Sequence, residues 1–287
     1  MKSLLVATDF SERSDRAIRR ATLLARTYDA AVMLIHIVDD DQPKRLIKAE
    51  EQAASKLLEE QARSLREIDG LECEFRIALG DPFEKIMQIG REEDVDLVII
   101  GPHRRQILKD VFVGTTAERI IRTSDRPVLM ANAVPAGAYR QILIATDLSD
   151  CSGDALRAAV GLDLIKKSDV SVLHVFDAPP TGLMNRASLS DDQIQDYLYN
   201  EEQRASLDLL AFLVEHDLRS VPSILKPAIS SVEEVILSAA REISAEVIII
   251  GSRGKTGLAK TLLGSTAEKL LCVSDHDILV VPPRLQD

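Results

Sequence analysis

Residues 247–254 read VIIIGSRG, and nine residues further on the chain continues with Gly264, Ser265 and Thr266. An apolar run of four residues that stops at a glycine is typical of a buried parallel strand that meets a tight loop. Glycines let backbone N–H groups approach a ligand closely, and a helix N-terminus supplies unpaired donors and partial positive charge. This pattern predicts a loop and a helix N-terminus that together hold a di- or triphosphate.

The chain also carries an altered copy of this pattern. Residues 96–101 read DLVIIG, and the following loop reaches Gly114 with the same spacing, but Arg104 replaces the second glycine. A non-glycine residue at positive φ costs about 1 kcal/mol or more. We therefore expect the first loop to have changed shape, with Arg104 either filling the space of the phosphate or holding a different anion.

The sequence divides into two repeats. Residues 4–11 (LLVATDFS) match residues 142–149 (ILIATDLS) at an offset of 138, whereas the two glycine patterns match at an offset of 150. The second repeat therefore contains about twelve extra residues. We place them between residues 179 and 200, where they would form either a mobile cover near the site of the second repeat or an ordinary surface insertion.

Strand-like and helical patterns alternate along both repeats. Strands are expected in the first repeat at residues 4–8, 32–38, 72–78, 97–100 and 128–130, and the second repeat ends with a strand at 278–281. This alternation predicts two α/β domains, each with a five-stranded, doubly wound parallel sheet and helices on both faces. Residues 131–139 form the linker between a domain at 1–132 and a domain at 139–287.

Polar residues are expected to begin several helices. Ser11 or Ser14 would cap the first helix, and Asp81 followed by Pro82 would begin the third. The spacing S-x-x-Q from Ser190 predicts a capping box at the start of another long helix.

Composition indicates an ordinary globular protein. The 287 residues suffice for two domains, and no apolar run approaches the ~20 residues of a membrane helix. The formal charge of −11 argues against nucleic-acid binding. The three cysteines have no metal or redox spacing, and the N-terminal residues have no signal-peptide pattern. We therefore expect a cytoplasmic protein that does not bind a membrane.

Both halves resemble the universal stress protein domain, and the whole chain resembles a tandem protein of this family. The resemblance rests on residues 6–11 (VATDFS) and 144–149 (IATDLS), on residues 173–175 (LHV) and on the spaced glycines of 251–265. It implies that the glycine pattern is an ATP-binding loop, intact in the second half and interrupted at Arg104 in the first.

The same resemblance implies roles for individual residues. Asp147 would lie by the ribose or a metal ion, and the backbone of Val175 would meet adenine; the implied cofactor is ATP with Mg²⁺. The expected nucleotide-binding residues are Ala145, Asp147, Val175, Gly251, Arg253, Gly254, Gly264, Ser265 and Thr266. The two domains would pair through their fifth strands as an internal pseudo-dimer, with Val128 and Val280 in or beside the interface.

These residues also have a purely structural interpretation. The glycines could serve tight turns, and Arg253 could be simply solvated. Ser265 and Glu268 have the spacing of a capping box, which would give the serine hydroxyl a role without any ligand. Asp147 could cap the next helix, and this is the favoured interpretation for Asp9, whose lobe has the altered loop.

The sequence offers a binding site without evident catalytic groups or resident metal ligands. No cysteine or serine is placed as a nucleophile beside a histidine base. We therefore expect an ATP-binding stress-response or regulatory protein, read out through a regulatory protein partner or through self-association as a homo-oligomer. Two alternatives stay open: a weak ATPase or phosphotransfer enzyme, and an interaction scaffold without a physiological nucleotide.

Overall fold

The computed structural model describes residues 1–102, 116–177, 190–255 and 263–284. The first repeat contains β1 (Ser3–Ala7), α1 (Glu12–Tyr28), β2 (Ala31–Val38), α2 (Lys44–Glu67), β3 (Cys73–Leu79), α3 (Pro82–Glu92), β4 (Leu97–Ile100), α4 (Thr116–Thr123) and β5 (Val128–Met130). The second contains β6 (Gln141–Thr146), α5 (Asp150–Gly161), α6 (Leu164–Lys167), β7 (Asp169–Phe176), α7 (Asp191–Glu215), β8 (Ser223–Pro227), α8 (Val232–Glu242), β9 (Val247–Gly251), α9 (Ser265–Val273) and β10 (Asp277–Val281). The strands expected from sequence lie within one residue of these bounds.

The ten strands form one continuous sheet in the order β3-β2-β1-β4-β5-β10-β9-β6-β7-β8. Neighbouring strands are parallel within each repeat, and the two halves meet where β5 and β10 pair in antiparallel register, with Val128 opposite Val280. Both valines are 1% exposed. The expected fold, with two doubly wound domains joined through their fifth strands, is therefore confirmed.

Side chains of the strands alternate between two apolar layers, one on each face of the sheet. Leu4 belongs to the first layer and Leu5 to the second. Each layer continues across the joint between the repeats: Leu279 lies in the first layer with Leu4, and Val280 in the second with Leu5. The two repeats therefore share their core layers.

The turn after the first strand of each repeat has the same construction. Leu148 takes a left-handed φ of 63°, and its N–H donates to Thr146 Oγ1 at 2.9 Å. Phe10 has the same conformation in the first repeat, with a φ of 59°. Ser149 then caps α5, and Ser11 caps α1, which resolves the choice between Ser11 and Ser14.

Two further helix starts follow the sequence. Asp81 caps α3 by accepting the N–H groups of Phe83 and Glu84, and Pro82 is the first helical residue. Ser190 forms the expected capping box with Gln193 at the start of α7. Of the region assigned to the extra residues, 179–189 lie outside the described residues. Within the described ranges, no helix combines the length and apolar character needed to cross a bilayer.

Candidate functional site

A cleft of about 560 Å³ lies at the carboxyl ends of β6, β7 and β9 in the second repeat. This is the edge at which open α/β sheets bind ligands. All nine residues expected to bind a nucleotide line it: Ala145, Asp147, Val175, Gly251, Arg253, Gly254, Gly264, Ser265 and Thr266. The fold thus brings together residues that lie up to 121 positions apart in the chain.

One part of the cleft is apolar. Ala145 and Val175 line it from the sheet, Val232 and Ile236 from α8, and Ile250 from the strand that leads into the glycine loop. Ile236 and Ile250 are buried in the second core layer, and Ala145 and Val175 pack against it, so this part of the cleft is held by the sheet and α8. It has the character of a surface against which a flat aromatic group can lie.

Helix α7 forms a charged wall that sequence reasoning missed. Glu201, Arg204 and Asp208 line the cleft from this helix, and Glu201 pairs with Arg204 at 3.0 Å. The signal for this wall is the place of α7 in the chain: it follows β7, and the segment after a strand of a parallel sheet starts at the carboxyl edge where the cleft lies.

Asp147 ties the glycine loop to the turn after β6. Its Oδ1 accepts the N–H of Ser149 at 3.1 Å and the hydroxyl of Ser149 at 2.5 Å. Its Oδ2 accepts the N–H of Lys255 at 2.7 Å, across the mouth of the cleft. The cap of α5 is Ser149, so the interpretation of Asp147 as the helix cap is wrong.

Asp9 occupies the matching position in the first repeat. Its Oδ1 accepts the N–H and hydroxyl of Ser11, and its other oxygen lies 3.8 Å from the guanidinium of Arg13. The helix cap is again the serine, so the favoured interpretation of Asp9 as the cap is also wrong. The two aspartates share one turn geometry and differ in the partner of Oδ2, which is the N–H of Lys255 for Asp147 and the guanidinium of Arg13 for Asp9.

The glycines of the second loop have different structural reasons. A Cβ on Gly251 would lie 2.9 Å from the backbone oxygen of Cys151, so this glycine lets β9 pack against α5. A Cβ on Gly254 would lie 2.7 Å from Asp147 Oδ2. A Cβ on Gly264 would meet its nearest atoms only at 3.5 Å, an ordinary contact distance.

The expectation that the second glycine needs a positive φ is wrong for the intact loop. Among the described residues, the glycines with positive φ are Gly70 and Gly80, and Gly254 is not among them. The constraint at Gly254 comes instead from the carboxylate of Asp147. Arg104 and Gly114 of the altered loop lie outside the described residues.

The helix that follows the loop begins without a side-chain cap. Gly264 is the N-cap of α9, and Ser265 is the first helical residue. The expected capping box of Ser265 and Glu268 is therefore wrong, because the cap falls one residue earlier than the serine. The first N–H groups of a helix have no partner within the helix. The N–H of Gly264 donates to the carbonyl oxygen of Ser252 at 2.8 Å, and the helix start adjoins the cleft through Ser265 and Thr266.

A histidine in the second strand supports the cleft in each repeat. His174 Nδ1 lies 2.9 Å from the carbonyl oxygen of Thr146, and His36 Nδ1 lies 2.8 Å from that of Thr8. A carbonyl oxygen only accepts, so Nδ1 carries the proton in both rings. The two histidines therefore hold the end of the first strand against the second.

The cysteine nearest the cleft is not set up as a nucleophile. Cys151 is buried at the start of α5, and this burial raises the pKa of its thiol. A raised pKa keeps the sulfur protonated at neutral pH, whereas nucleophilic cysteines need a lowered one.

The first repeat has a smaller cleft of about 380 Å³ at the equivalent place. Asp9, Arg13 and His36 line it, together with Gly101 and Thr116 from either side of the altered loop. A Cβ on Gly101 would lie 2.6 Å from the backbone oxygen of Arg13, so Gly101 has the same packing role as Gly251. Packing therefore requires Gly101, one of the two glycines that the first repeat retains.

The model of the universal stress protein family matches residues 1–132 and again residues 138–282. A universal stress protein of Methanocaldococcus jannaschii is 27% identical over 151 residues, which cover 45% of this chain and 93% of that protein. Universal stress protein E of Escherichia coli is 24% identical over 308 residues, covering 98% of this chain and 94% of that protein. A crystal structure of a universal stress protein from Archaeoglobus fulgidus has a TM-score of 0.72 at 20% identity, with 99% and 98% coverage, and shares the fold. The chain belongs to the universal stress protein family, with two domains of this type in tandem.

Proposed function

We propose that the protein is an ATP-binding stress-response or regulatory protein that holds one nucleotide in the cleft of its second repeat. The observation that carries the proposal is the meeting of all nine expected residues around this cleft, beside the uncapped start of α9. The cleft combines an apolar part for a base with backbone donors for phosphates.

Each part of the nucleotide has a matching part of the cleft. Adenine lies in the apolar part between Ala145, Val175 and Ile236. The phosphates lie between the loop at Gly254 and the N-terminus of α9, where backbone N–H groups and the helix dipole favour negative charge. Arg253 and Lys255 line the same mouth and offset the formal charge of −11 that would repel an anion.

Gly264 gives independent support for a ligand at the start of α9. The described atoms of the protein leave room for a Cβ there, whereas they leave none at Gly251 or Gly254. A phosphate that approaches the backbone there would add a second reason for glycine, beside the preference of an N-cap for glycine over alanine.

A Mg²⁺ ion fits this assignment, with Asp147 as the residue that would hold it. Mg²⁺ in nucleotide sites is commonly bound by one or two carboxylates together with phosphate oxygens and waters. The ion would neutralise phosphate charge beside the carboxylate. In the described parts of the chain, no cluster of three or more His, Cys, Asp or Glu side chains could hold a metal. Metal binding is therefore expected to depend on the nucleotide.

Readout takes place through a protein partner or through self-association in the cytoplasm. Binding would act on the elements that border the cleft, which are the glycine loop and α7. Hydrogen exchange of α7 with and without ATP tests this step, because a helix that responds to the ligand becomes more protected when ATP is added. If the hydrogen exchange of α7 is the same with and without ATP, α7 takes no part in the readout.

The first experiment is mass spectrometry of small molecules released from the denatured protein. Recovery of an adenine nucleotide supports the proposal, and absence both of retained nucleotide and of ATP binding in calorimetry favours a scaffold without nucleotide. A single-turnover assay addresses ATP hydrolysis. A hydrolysis rate that is the same in Gly254→Arg would come from a contaminant.

The second experiment compares two alanine substitutions in the same loop. Gly264→Ala should lower the free energy of unfolding by about 1 kcal/mol at most, the cost of alanine at an N-cap, and weaken ATP binding by about tenfold or more. Gly251→Ala should lower the free energy of unfolding by more, because its Cβ would collide with the backbone of α5. Unchanged ATP binding by Gly264→Ala would contradict the proposed position of the phosphates.

A further inference from the structure

Helix α7 is apolar on two opposite faces. One face packs into the second repeat through Ile194, Ala205, Leu209, Phe212 and Leu213. The other face carries Tyr199, Leu207, Leu210 and Val214, which are 62%, 68%, 52% and 49% exposed. We call these four residues the α7 stripe.

The four residues of the α7 stripe lie on one side of the helix, where the exposed Gln203 separates Tyr199 from the other three. At about 100° per residue, its four members fall within about 80° around the helix axis and extend over about four turns. A surface helix normally places its apolar residues on the face toward the core and polar residues outside. A group of exposed apolar side chains such as Leu207, Leu210 and Val214 is a feature of interaction sites.

The corresponding helix of the first repeat differs in charge. Between residues 44 and 67, α2 has six basic and five acidic residues. Between residues 191 and 215, α7 has seven acidic residues and a single basic one, Arg204, which pairs with Glu201. Asp192, Asp196, Glu202 and Glu215 are exposed around the stripe.

The negative charge around the α7 stripe indicates which kind of partner could bind to it. A second copy of α7 would bring its own seven carboxylates against these, and like charges placed together oppose association. An anionic membrane surface is disfavoured for the same reason. A basic amphipathic helix complements both the apolar residues and the acidic border.

We propose that the α7 stripe is a docking site for a basic amphipathic helix of another protein. The partner's apolar side chains cover Leu207, Leu210 and Val214, and its lysines or arginines face the acidic border. The opposite side of α7 lines the cleft through Glu201, Ala205 and Asp208, so the partner and the cleft contact the same helix. Docking does not require a nucleotide, and its test is independent of the function proposed above.

The test uses a fluorescent peptide of about 18 leucine and lysine residues, arranged as an amphipathic helix of about five turns. Its anisotropy is measured with the nucleotide-free full chain. A peptide with glutamate in place of lysine controls for charge, and a peptide of scrambled leucine positions controls for the apolar face. We expect binding of the first peptide alone, weakened by salt.

The matched variants are Leu207→Ser/Leu210→Ser in α7 and Leu46→Ser/Leu57→Ser in α2. All four leucines are at least 45% exposed, so both variants should fold, which circular dichroism checks. The α7 variant should lose about tenfold or more in affinity, and the α2 variant should bind as the wild type does. Glu202→Lys/Glu215→Lys should also weaken binding and reduce its salt dependence.

Three outcomes would overturn the proposal. The α7 variant could bind the leucine–lysine peptide as tightly as the wild type, or the glutamate peptide could bind equally well. A wild-type mass in light scattering that falls by half in Leu207→Ser/Leu210→Ser would identify a second copy as the occupant. Loss of binding to anionic vesicles in the same variant would identify a membrane instead.

Discussion

Arg20 Nε lies 2.7 Å from Asp277 Oδ2, although the two residues come from different repeats and their side chains are only 4% and 0% exposed. The hydroxyl of Tyr139 donates to the same carboxylate at 2.6 Å, and the N–H of Ala133 donates to its other oxygen at 2.8 Å. Arg20 in turn donates to the carbonyl of Gly137 at 2.8 Å. This buried cluster joins α1, the linker and the start of β10, so it fixes how the two repeats meet.

Arg20→Met should lower the free energy of unfolding by about 3–5 kcal/mol at pH 7, because it leaves the Asp277 carboxylate buried without its cation. Burial already raises the pKa of Asp277, although Arg20 opposes the rise. A group with a raised folded pKa stabilises below its unfolded pKa and loses that contribution as pH rises through the folded pKa. Asp277 should therefore lower the free energy of unfolding of Arg20→Met less and less as the pH is lowered from 7 toward 4. Urea unfolding at several pH values measures this.

Arg16→Met is the matched control for Arg20→Met. Arg16 also comes from α1 and donates to the carbonyl of Asn132 at 2.8 Å, but it does not neutralise a buried carboxylate. Its loss should cost about 1 kcal/mol. Equal losses for the two variants would show that the ion pair is not what holds the repeats.

The wild-type chain should bind one ATP, and Gly254→Arg should abolish most of this binding. A side chain at residue 254 meets Asp147 Oδ2 and displaces the loop donors. Losing several charge-assisted hydrogen bonds of roughly 1.5–3 kcal/mol each weakens binding by orders of magnitude. Arg104→Gly should restore some binding in the first repeat, and titration calorimetry reports the stoichiometry of all three proteins. Two ATP per wild-type chain, or full binding by Gly254→Arg, would contradict the assignment.

Asp81→Ala should destabilise the protein by about 1 kcal/mol, since the side chain caps α3. Ser231 is the N-cap at the equivalent start of α8 but makes no side-chain cap hydrogen bond, so Ser231→Ala should have a smaller effect. Chemical unfolding of both variants at pH 7 makes the comparison. A larger loss for Ser231→Ala would contradict the role of the Asp81 cap.

The effect of Asp81→Ala should also fade in acid. The hydrogen bond from Arg119, followed by those from the N–H groups of Glu84 and Phe83, lowers the pKa of Asp81 below its ordinary value of 3.8. A lowered folded pKa gives stability that is present above the unfolded pKa and is lost as pH falls through the folded one. Wild type and variant should therefore converge below pH 3.8. A difference that is independent of pH would exclude the carboxylate as its source.

Gly153→Ala should destabilise the protein by about 1–3 kcal/mol, although alanine favours helices. The added Cβ would lie 2.6 Å from His216 Nε2, and the histidine ring is held by Arg157 at 3.1 Å and by Phe212. Gly161 belongs to the same helix, and a Cβ added there would meet no described atom within 4 Å. Gly161→Ala should therefore be neutral or stabilising by up to about 1 kcal/mol. Thermal unfolding ranks the two variants, and a more stable Gly153→Ala would show that His216 yields easily.

The positions of the strands could be predicted because they depend on local signals, and the joint of the repeats because the family resemblance implies it. Apolar runs mark the strands, and two short apolar strands at the ends of the repeats fit the pairing that the family resemblance implies. The pair Arg20–Asp277 could not be predicted, because it joins residues 257 positions apart that have no matching partners in the other repeat. Contacts that break the repeat leave no periodic trace in the sequence.

The site shows the same division. The nine cleft residues could be predicted from the glycine spacing and the family resemblance, since each lies at or near the end of a strand or the start of a helix. The cap of α9 could not, because Ser265 satisfies a capping-box pattern by spacing while the backbone turns one residue earlier at Gly264. The constraint on Gly254 also depends on Asp147, which is distant in sequence and contacts the loop only in the folded protein.

The antiparallel pairing of β5 with β10 also governs how the two halves can diverge. If two identical chains paired in this way, each substitution would occur twice, and damage to one loop would damage both. When both halves belong to one chain, their pairing does not depend on protein concentration, and one copy of each half is always present. Each half still has its own loop sequence. Arginine can therefore occupy residue 104 while glycine is kept at residue 254. The covalent link therefore lets the two halves differ at positions that two identical chains would have to share.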